Sequence, residues 1–190
     1  VITVPTAAAA LMNHTIDADI STLKNIFCGS APMPTKLFEK FQKETGVSII
    51  EGYGMTEATC LVSCNPPDGE RKIGSVGLPL PFTEVRVLEI SRKDEVLKEC
   101  KDGEPGEVCV YNPGINIGFT YTDPIKNKSL FIEDKFLRTG DIGYLDVDGY
   151  LWLTGRAKDV IMRGGHNIDP LIIEEALSGH PSVSLVGAIG

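Results

Sequence analysis

RTGDIGYLDVDGYLWLTGRAKDVIMRGGHN, residues 138–167, is the stretch on which the reading of this chain turns. Two strand-like pieces, YLDV (144–147) and GYLWLTG (149–155), meet at Asp148-Gly149, a dipeptide that favours a tight hairpin. Asp141, Arg156 and Lys158 sit on or beside that stiff ribbon, and a Gly164-Gly165 pair closes the stretch. An acid, an arginine and the polar dipeptide Lys158-Asp159 in this order are expected where a ligand lies between two bodies that move.

Upstream, from Asn65-Pro66-Pro67-Asp68-Gly69 to about Gly155, the texture is short strands and turns without a convincing amphipathic helix. TEVRVLEI (83–90) and GEVCVY (106–111) are its clearest strands, which suggests a β-barrel or sandwich subdomain. Further back, Val1–Val4 reads as a short buried strand stopped by Pro5, and the alanine-rich run from Thr6 to Asn13 as a helix. A strand ending near Phe27 leads into the turn CGSAPMP (28–34). Leu37, Phe38 and Phe41 then recur at helical spacing, with Gly46 where a C-cap belongs. VSIIEGYG (47–54) returns as a strand expected to break at Gly52 and Gly54. Strand, helix and strand in quick alternation predict an α/β layer with a parallel sheet.

Downstream, Asp169 is placed to cap a helix that begins at Pro170, continues through LIIEEAL and closes near Gly179. Pro181 then leads into an expected strand, VSLVGAIG (183–190). The expected fold class is α/β. It comprises the end of a parallel-sheet α/β layer (1–66), a distorted β-barrel subdomain (67–157), and a hinge with the start of a small α+β C-terminal domain (158–190). A chain that opens and closes inside strand-like runs reads as an internal piece of a longer one.

With 190 residues, 42% of them hydrophobic, the chain can bury a real core. A net charge of −8 without a basic run argues against nucleic acid as partner. No apolar run reaches membrane-spanning length, and no charged, cleavable leader opens the chain, so the expected compartment is the cytoplasm. Cys28, Cys60, Cys64, Cys100 and Cys109 form no CxxC pair, and His14, His166 and His180 are scattered, so neither a disulfide framework nor a zinc site is indicated.

Four segments carry candidate chemistry. In EGYGMTEA (51–58) two glycines let the backbone approach a ligand, a Thr56 hydroxyl suits a phosphate oxygen, and the Glu57 carboxylate suits Mg²⁺. Spacing alone fits a glycine-rich turn with a helix cap equally well. GSAP, Gly29 to Pro32, reads by itself as a plain αβ turn, but it lies one βα unit earlier, so that both turns would open on one sheet edge and leave a slot for a flat ring. Asp141, after Thr139-Gly140, either accepts from two ribose hydroxyls or shapes its own loop through an Asx-turn. Arg156 offers a planar fork for ribose or phosphate oxygens, on what is otherwise a surface turn of an interdomain connection.

GYGMTE, GSVGLPLP, GEVCVYNPGINIGF, RTGD and GRAKDVIMRGGHNI stand here in an order that resembles the adenylate-forming superfamily. That superfamily comprises the acyl-CoA synthetases, firefly luciferase and the peptide-synthetase adenylation domains, and the resemblance covers essentially the whole chain. It implies ATP-dependent activation of a carboxylic acid to acyl-AMP, followed by thioester formation with CoA, as an AMP-forming ligase with Mg²⁺ as cofactor.

The same resemblance implies roles for matching residues. Gly29, Ser30, Ala31 and Pro32, with Glu51, Gly52, Tyr53, Gly54 and Met55, would form the ATP/AMP site around the adenine. Thr56 would contact the AMP phosphate, Glu57 would help bind Mg²⁺, and Asp141 would take the ribose hydroxyls with Arg156 assisting. Lys158 would be the hinge of the small domain, and Gly164, Gly165 and His166 would line the pantetheine tunnel for CoA. The acyl group would lie near Met55 and VPTAAAAL. The family's phosphate loop would precede Val1 and its catalytic lysine would follow Gly190, so the chain alone is expected to be inactive. Lys135-Phe136 stand where the family commonly has Gly-Trp. The GGHN segment favours CoA as acceptor; carrier-protein loading and a non-catalytic nucleotide-binding module are the alternatives.

Overall fold

The computed structural model describes residues 1–91, 94–159, 161–163, 166–168, 170–178, 180, 182–183 and 186–189. The chain divides into two compact units, and each is taken by itself. The first comprises Val1–Thr83, Asn112–Ile115 and Gly149–Trp152; the second comprises Glu84–Tyr111, Asn116–Asp148 and Leu153–Gly190.

The first unit holds a five-stranded sheet in the order β1 (Ile2–Thr3), β2 (Asn25–Cys28), β3 (Ser48–Met55), β4 (Cys60–Cys64), β5 (Leu78–Pro79). The expected parallel layer is present in β1–β2–β3, and the sheet continues antiparallel into β4 and β5. Helix α1 (Pro5–Leu11) starts on the proline that ends the first strand. Helix α2 (Thr35–Thr45) ends on Gly46 in the left-handed conformation, φ 69°, with its N–H on the Gln42 carbonyl. Phe38 and Phe41 of α2 pack with Ala8, Ile26, Cys28, Met33, Val47 and Ile49, which joins helices to sheet in one apolar cluster.

Two expectations here are corrected. The opening strand is exposed rather than buried, with Ile2 at 84% exposure, because β1 is an edge strand that pairs through only Ile2 and Thr3. The third strand does not break at Gly52 and Gly54: it runs to Met55, paired to β4 from Gly52 to Met55, and takes up the irregularity as a register shift between Tyr53 and Gly54.

The second unit is built on antiparallel strands: β6 (Glu84–Ile90), β7 (Val96–Glu99), β8 (Gly106–Tyr111), β9 (Phe131–Ile132) and β10 (Phe136–Leu145). With β11 (Leu151–Arg156) they form a six-stranded sheet in the order β11-β10-β8-β6-β7, and β9 pairs β10. That order is open, ending on β11 and β7. Leu88, Cys109, Ile132 and Phe136 form its buried cluster, with Tyr111 edge-on to Phe136 at 6.3 Å. The short helix α3 (Pro124–Lys128) shows no helical period in the sequence; it is started by Asp123, whose carboxylate accepts the Ile125 N–H at 2.9 Å.

Beyond it, β12 (Ile161–Arg163) and β13 (His166–Ile168) form an antiparallel pair, followed by α4 (Pro170–Ser178). The helix begins on Pro170 as expected; the proposed cap Asp169 and terminator Gly179 lie outside the described residues. The expected strand at 183–190 is not formed by its described residues, 183 and 186–189. There the Ala188 N–H is taken by the Glu174 carboxylate of α4 at 3.0 Å, in place of a neighbouring strand.

Candidate functional site

In the first unit the parallel register sets Cys28 beside Glu51, so the turn Gly29–Pro32 leaves the sheet level with Gly52. A Cβ on Gly29 would stand 3.0 Å from the Gly52 carbonyl oxygen, and one on Gly52 would stand 2.5 Å from the Phe27 ring. The Gly29 turn therefore lies close against the backbone of β3 at Gly52. Ser30 adopts φ 71°, which turns the exposed Ser30–Pro32 segment away from β2.

After Met55 the chain makes one 3-10 turn, Thr56–Ala58, and reverses into β4 through Thr59 and Cys60, both at positive φ (61° and 82°). Met55 pairs with Cys60 across this reversal. Thr56 is exposed at its tip, Glu57 is half-buried, and Ala58 is buried beneath them. Asn112, far away in sequence, holds the turn: its side-chain N–H donates to the Ala58 carbonyl at 2.9 Å, while its Oδ1 accepts the Gly114 N–H at 2.8 Å. A Cβ on Gly114 would come within 2.7 Å of Thr59 Oγ1. Asn112 lies within the GEVCVYNPGINIGF segment, but only the tertiary contact exposes this role.

Glu51 is only 7% exposed, and burial pushes its carboxyl up from 4.5 to about 7, against the opposing donation of the Gly74 N–H. Its neighbour, the Cys28 thiol, is also raised, by burial first and by Glu51 second. A carboxyl with a raised folded value binds its proton more tightly in the folded state. Its contribution to stability is therefore present below 4.5 and lost as pH rises through about 7. We expect the thermal midpoint to fall as pH rises from 4.5 to about 7, and Glu51→Gln to flatten that slope. A scanning-fluorimetry pH series of both proteins checks this; equal slopes would remove Glu51 as the source.

In the second unit the RTGD segment lies inside β10 as a bulge. Arg138 pairs with Cys109 and Ile142 with Glu107, so Thr139, Gly140 and Asp141 together stand opposite Val108 alone. Gly140 makes the excursion at φ 72°. Thr139 secures it, its hydroxyl donating to the Val108 carbonyl at 2.7 Å and accepting the Asp141 N–H at 3.0 Å. The hydroxyl of Thr139 thus does what an Asx-turn at Asp141 would have done. Asp141 itself is buried, with one carboxylate oxygen 3.1 Å from the Nε of Arg156.

Arg156 ends β11, and the next residue ties it to the bulge: the Ala157 N–H donates to the Gly140 carbonyl at 2.9 Å. Thr139, Gly140, Arg156, Ala157 and Lys158 line a cavity of about 240 Å³. Lys158 is exposed in the turn after β11, where the Asp159 N–H closes onto the Arg156 carbonyl at 3.0 Å.

A further pair, not singled out in the sequence, stands beside the bulge. Glu107 takes a two-pronged bond from Arg138, Nε to Oε1 at 3.0 Å and Nη2 to Oε2 at 2.8 Å, while Nη1 reaches Asp94 at 2.6 Å. The Glu107 bond is the main cause that holds the Arg138 guanidinium above its usual range, against its partial burial, with Asp94 adding less. The alternation in GEVCVY, which would put Glu107 on one face of β8, could have signalled a buried acid needing a partner.

Gly164 and Gly165 lie outside the described residues, and His166 is described only through its backbone, paired with Arg163. The five cysteines are free thiols, and burial pushes Cys109 up to about 12. Among the described residues no group of His, Cys, Asp and Glu could hold a metal by itself, and no helix is long and apolar enough to cross a membrane.

The family model described as AMP-binding enzyme matches residues 1–120. The chain belongs to the AMP-binding enzyme family. This AMP-binding chain is 44% identical over 188 residues to marinolic acid–CoA ligase of Pseudoalteromonas sp. (strain SANK 73390), covering 98% of the chain and 28% of that ligase. Its fold is similar to ATP-bound MatB from Rhodopseudomonas palustris, with TM-score 0.88 and 34% identity over 100% of this chain and 37% of that one. It is also similar to O-succinylbenzoate coenzyme A synthetase of Bacillus subtilis in complex with ATP and magnesium ion, with TM-score 0.82 and 33% identity, covering 100% and 38%. The AMP-binding chain thus spans about a third of the length of these relatives. The expected membership of the adenylate-forming superfamily, on the acyl-CoA synthetase side, is met, as is its mixed α/β fold.

Proposed function

We propose that the protein carrying this chain is an AMP-forming acid–thiol ligase, which activates a carboxylic acid with ATP as acyl-AMP and passes the acyl group to CoA. The observation that carries this reading is the bulge at Thr139–Asp141, which pairs the buried Asp141 carboxylate with the Arg156 fork, itself lining a cavity of about 240 Å³. Asp141 would accept from the ribose hydroxyls and Arg156 would assist. In the first unit, the contact of Gly29 with Gly52 supports an adenine slot bounded by Gly29–Pro32 and Glu51–Met55.

Thr56 would donate to the α-phosphate, and Glu57 would hold Mg²⁺. A single half-buried carboxylate suits this ion, which usually takes one or two carboxylates and completes its shell with phosphate oxygens and water. When bound, Mg²⁺ would neutralise phosphate charge during attack by the acid. The protein's own part is orientation: Thr56 would orient the phosphate, and Asp141 with Arg156 the ribose.

The three-part division at 66/67 and 157/158 belongs to the same proposal, with Lys158 as pivot between the adenylation and thioester steps. Gly164, Gly165 and His166 would line the thiol's path, and cytoplasmic work on an aliphatic or aromatic acid completes the reading. The test uses the whole protein with ATP, Mg²⁺ and a panel of acids, following pyrophosphate release and then AMP release with and without CoA. CoA-dependent AMP release is expected. Pyrophosphate release with no acid, or acylation of a carrier protein but not of CoA, would overturn it.

A further inference from the structure

Glu107 and Arg138 stand at opposite ends of the Thr139–Asp141 bulge. Glu107 is the register partner of Ile142, the first paired residue after the bulge, whereas its carboxylate bonds to Arg138, the last paired residue before it. The ion pair therefore reaches across the three residues that depart from the ladder. The backbone between its ends contains the Gly140 turn, which opposes nothing but Val108. Without a cross-brace, such an excursion is free to lengthen, slip or flatten, since its inner groups are not held by ladder bonds.

The brace is well made. The Glu107 side chain is 7% exposed and that of Arg138 is 20% exposed, so solvent weakens neither prong. Asp94, 60% exposed, occupies the third nitrogen and completes the guanidinium's partners from outside. The hydroxyl of Thr139 bridges the same gap from within, through the carbonyl of Val108, the residue next to Glu107. These two ties, one ionic and one neutral, hold the β8 side of the bulge, and the Ala157 N–H on the Gly140 carbonyl and Arg156 on Asp141 hold its other side.

We propose that Glu107 and Arg138 are positioning residues, a clamp across the β10 bulge that sets the Asp141 carboxylate where a ribose diol can bond to it. The proposal rests on the reading of Asp141 as the ribose acceptor. A clamp of this kind acts on one part of one substrate. Loosening it should weaken selection for the ribose hydroxyls and leave recognition of the carboxylic acid unchanged, which a general loss of structure would not do.

The experiment measures kcat/KM of the whole enzyme for ATP, 2′-deoxy-ATP and 3′-deoxy-ATP, together with KM for the acid. It compares the unaltered protein with Glu107→Gln, Arg138→Lys, Asp94→Asn and Asp141→Asn. Asp141→Asn is expected to abolish the preference for ATP over the deoxynucleotides. Glu107→Gln is expected to raise KM for ATP and to reduce that preference by about tenfold each, with the acid's KM little changed. Arg138→Lys retains the buried charge but offers one prong in place of two, so it secures a folded variant and should show a smaller reduction of the same kind. Asp94→Asn, outside the clamp proper, should leave the preference within about twofold. If Asp141→Asn loses the preference while Glu107→Gln and Arg138→Lys keep it, the clamp is overturned and the ribose reading stands. If Asp141→Asn keeps the preference, the ribose reading fails and the clamp falls with it.

Discussion

Glu57→Gln is expected to lower Mg²⁺-dependent acyl-adenylate formation by about 10²–10³-fold at low Mg²⁺ in the whole enzyme, with partial recovery as Mg²⁺ is raised. The substitution keeps the shape of the side chain and removes its charge. Glu57 sits half-buried on a 3-10 turn fixed by Asn112 and by the tight reversal into β4, so its carboxylate is presented from a constrained backbone. Among the described residues no acidic or thiol cluster could hold the ion by itself, so the phosphate oxygens would be left to bind it with water. A Mg²⁺ titration of pyrophosphate exchange reads the effect as a raised half-saturation for the metal. Near-normal activity at low Mg²⁺ would take Glu57 out of the metal role.

Gly54→Ala is expected to be the most damaging single-methyl substitution among the site residues, reducing stability by about 3 kcal/mol or more and the thermal midpoint by roughly 10 °C. An added Cβ there would stand 1.7 Å from the Cys60 carbonyl oxygen and 2.8 Å from the Leu61 Cα. Both are backbone atoms of the paired strand β4, so no rotamer change relieves the clash. The β3–β4 pairing would have to part at the register shift, next to Thr56 and Glu57. Gly140→Ala is the informative contrast. Nothing lies within 4 Å of its added Cβ, and only the left-handed φ of 72° opposes it, which costs about 1–2 kcal/mol. Thermal melts of the two variants check the order; an equal or inverted ranking would show that the backbone clash is not the main source of the loss.

Much of the layout was legible in the residues because it is locally encoded. Pro5, Pro170 and Gly46 mark helix ends through φ preferences that need no tertiary partner, and Phe38 and Phe41 announce the buried face of α2 by spacing alone. GEVCVY coincides with β8 because a short run rich in β-branched and aromatic residues, buried here from Glu107 to Val110, is a local strand signal. The end of the chain misled for the complementary reason. Apolar content at 183–190 suits a strand, but a strand exists only where another offers its edge, and the Ala188 N–H is taken by Glu174 instead.

The motifs GYGMTE, RTGD and GRAKD, each readable without coordinates, carried the resemblance to the family and with it the candidate residues. How those residues are held was decided only by the tertiary structure. The Thr139–Asp141 segment, which a sequence presents as an ordinary turn, is a bulge inside a strand, because its neighbours Arg138 and Ile142 pair with residues some thirty positions earlier. Asn112 under Ala58, Gly74 on Glu51 and Glu107 across the bulge are likewise contacts between distant segments. A hydrogen bond or ion pair of that kind depends on register and burial, which are properties of the folded chain and not of any window of residues.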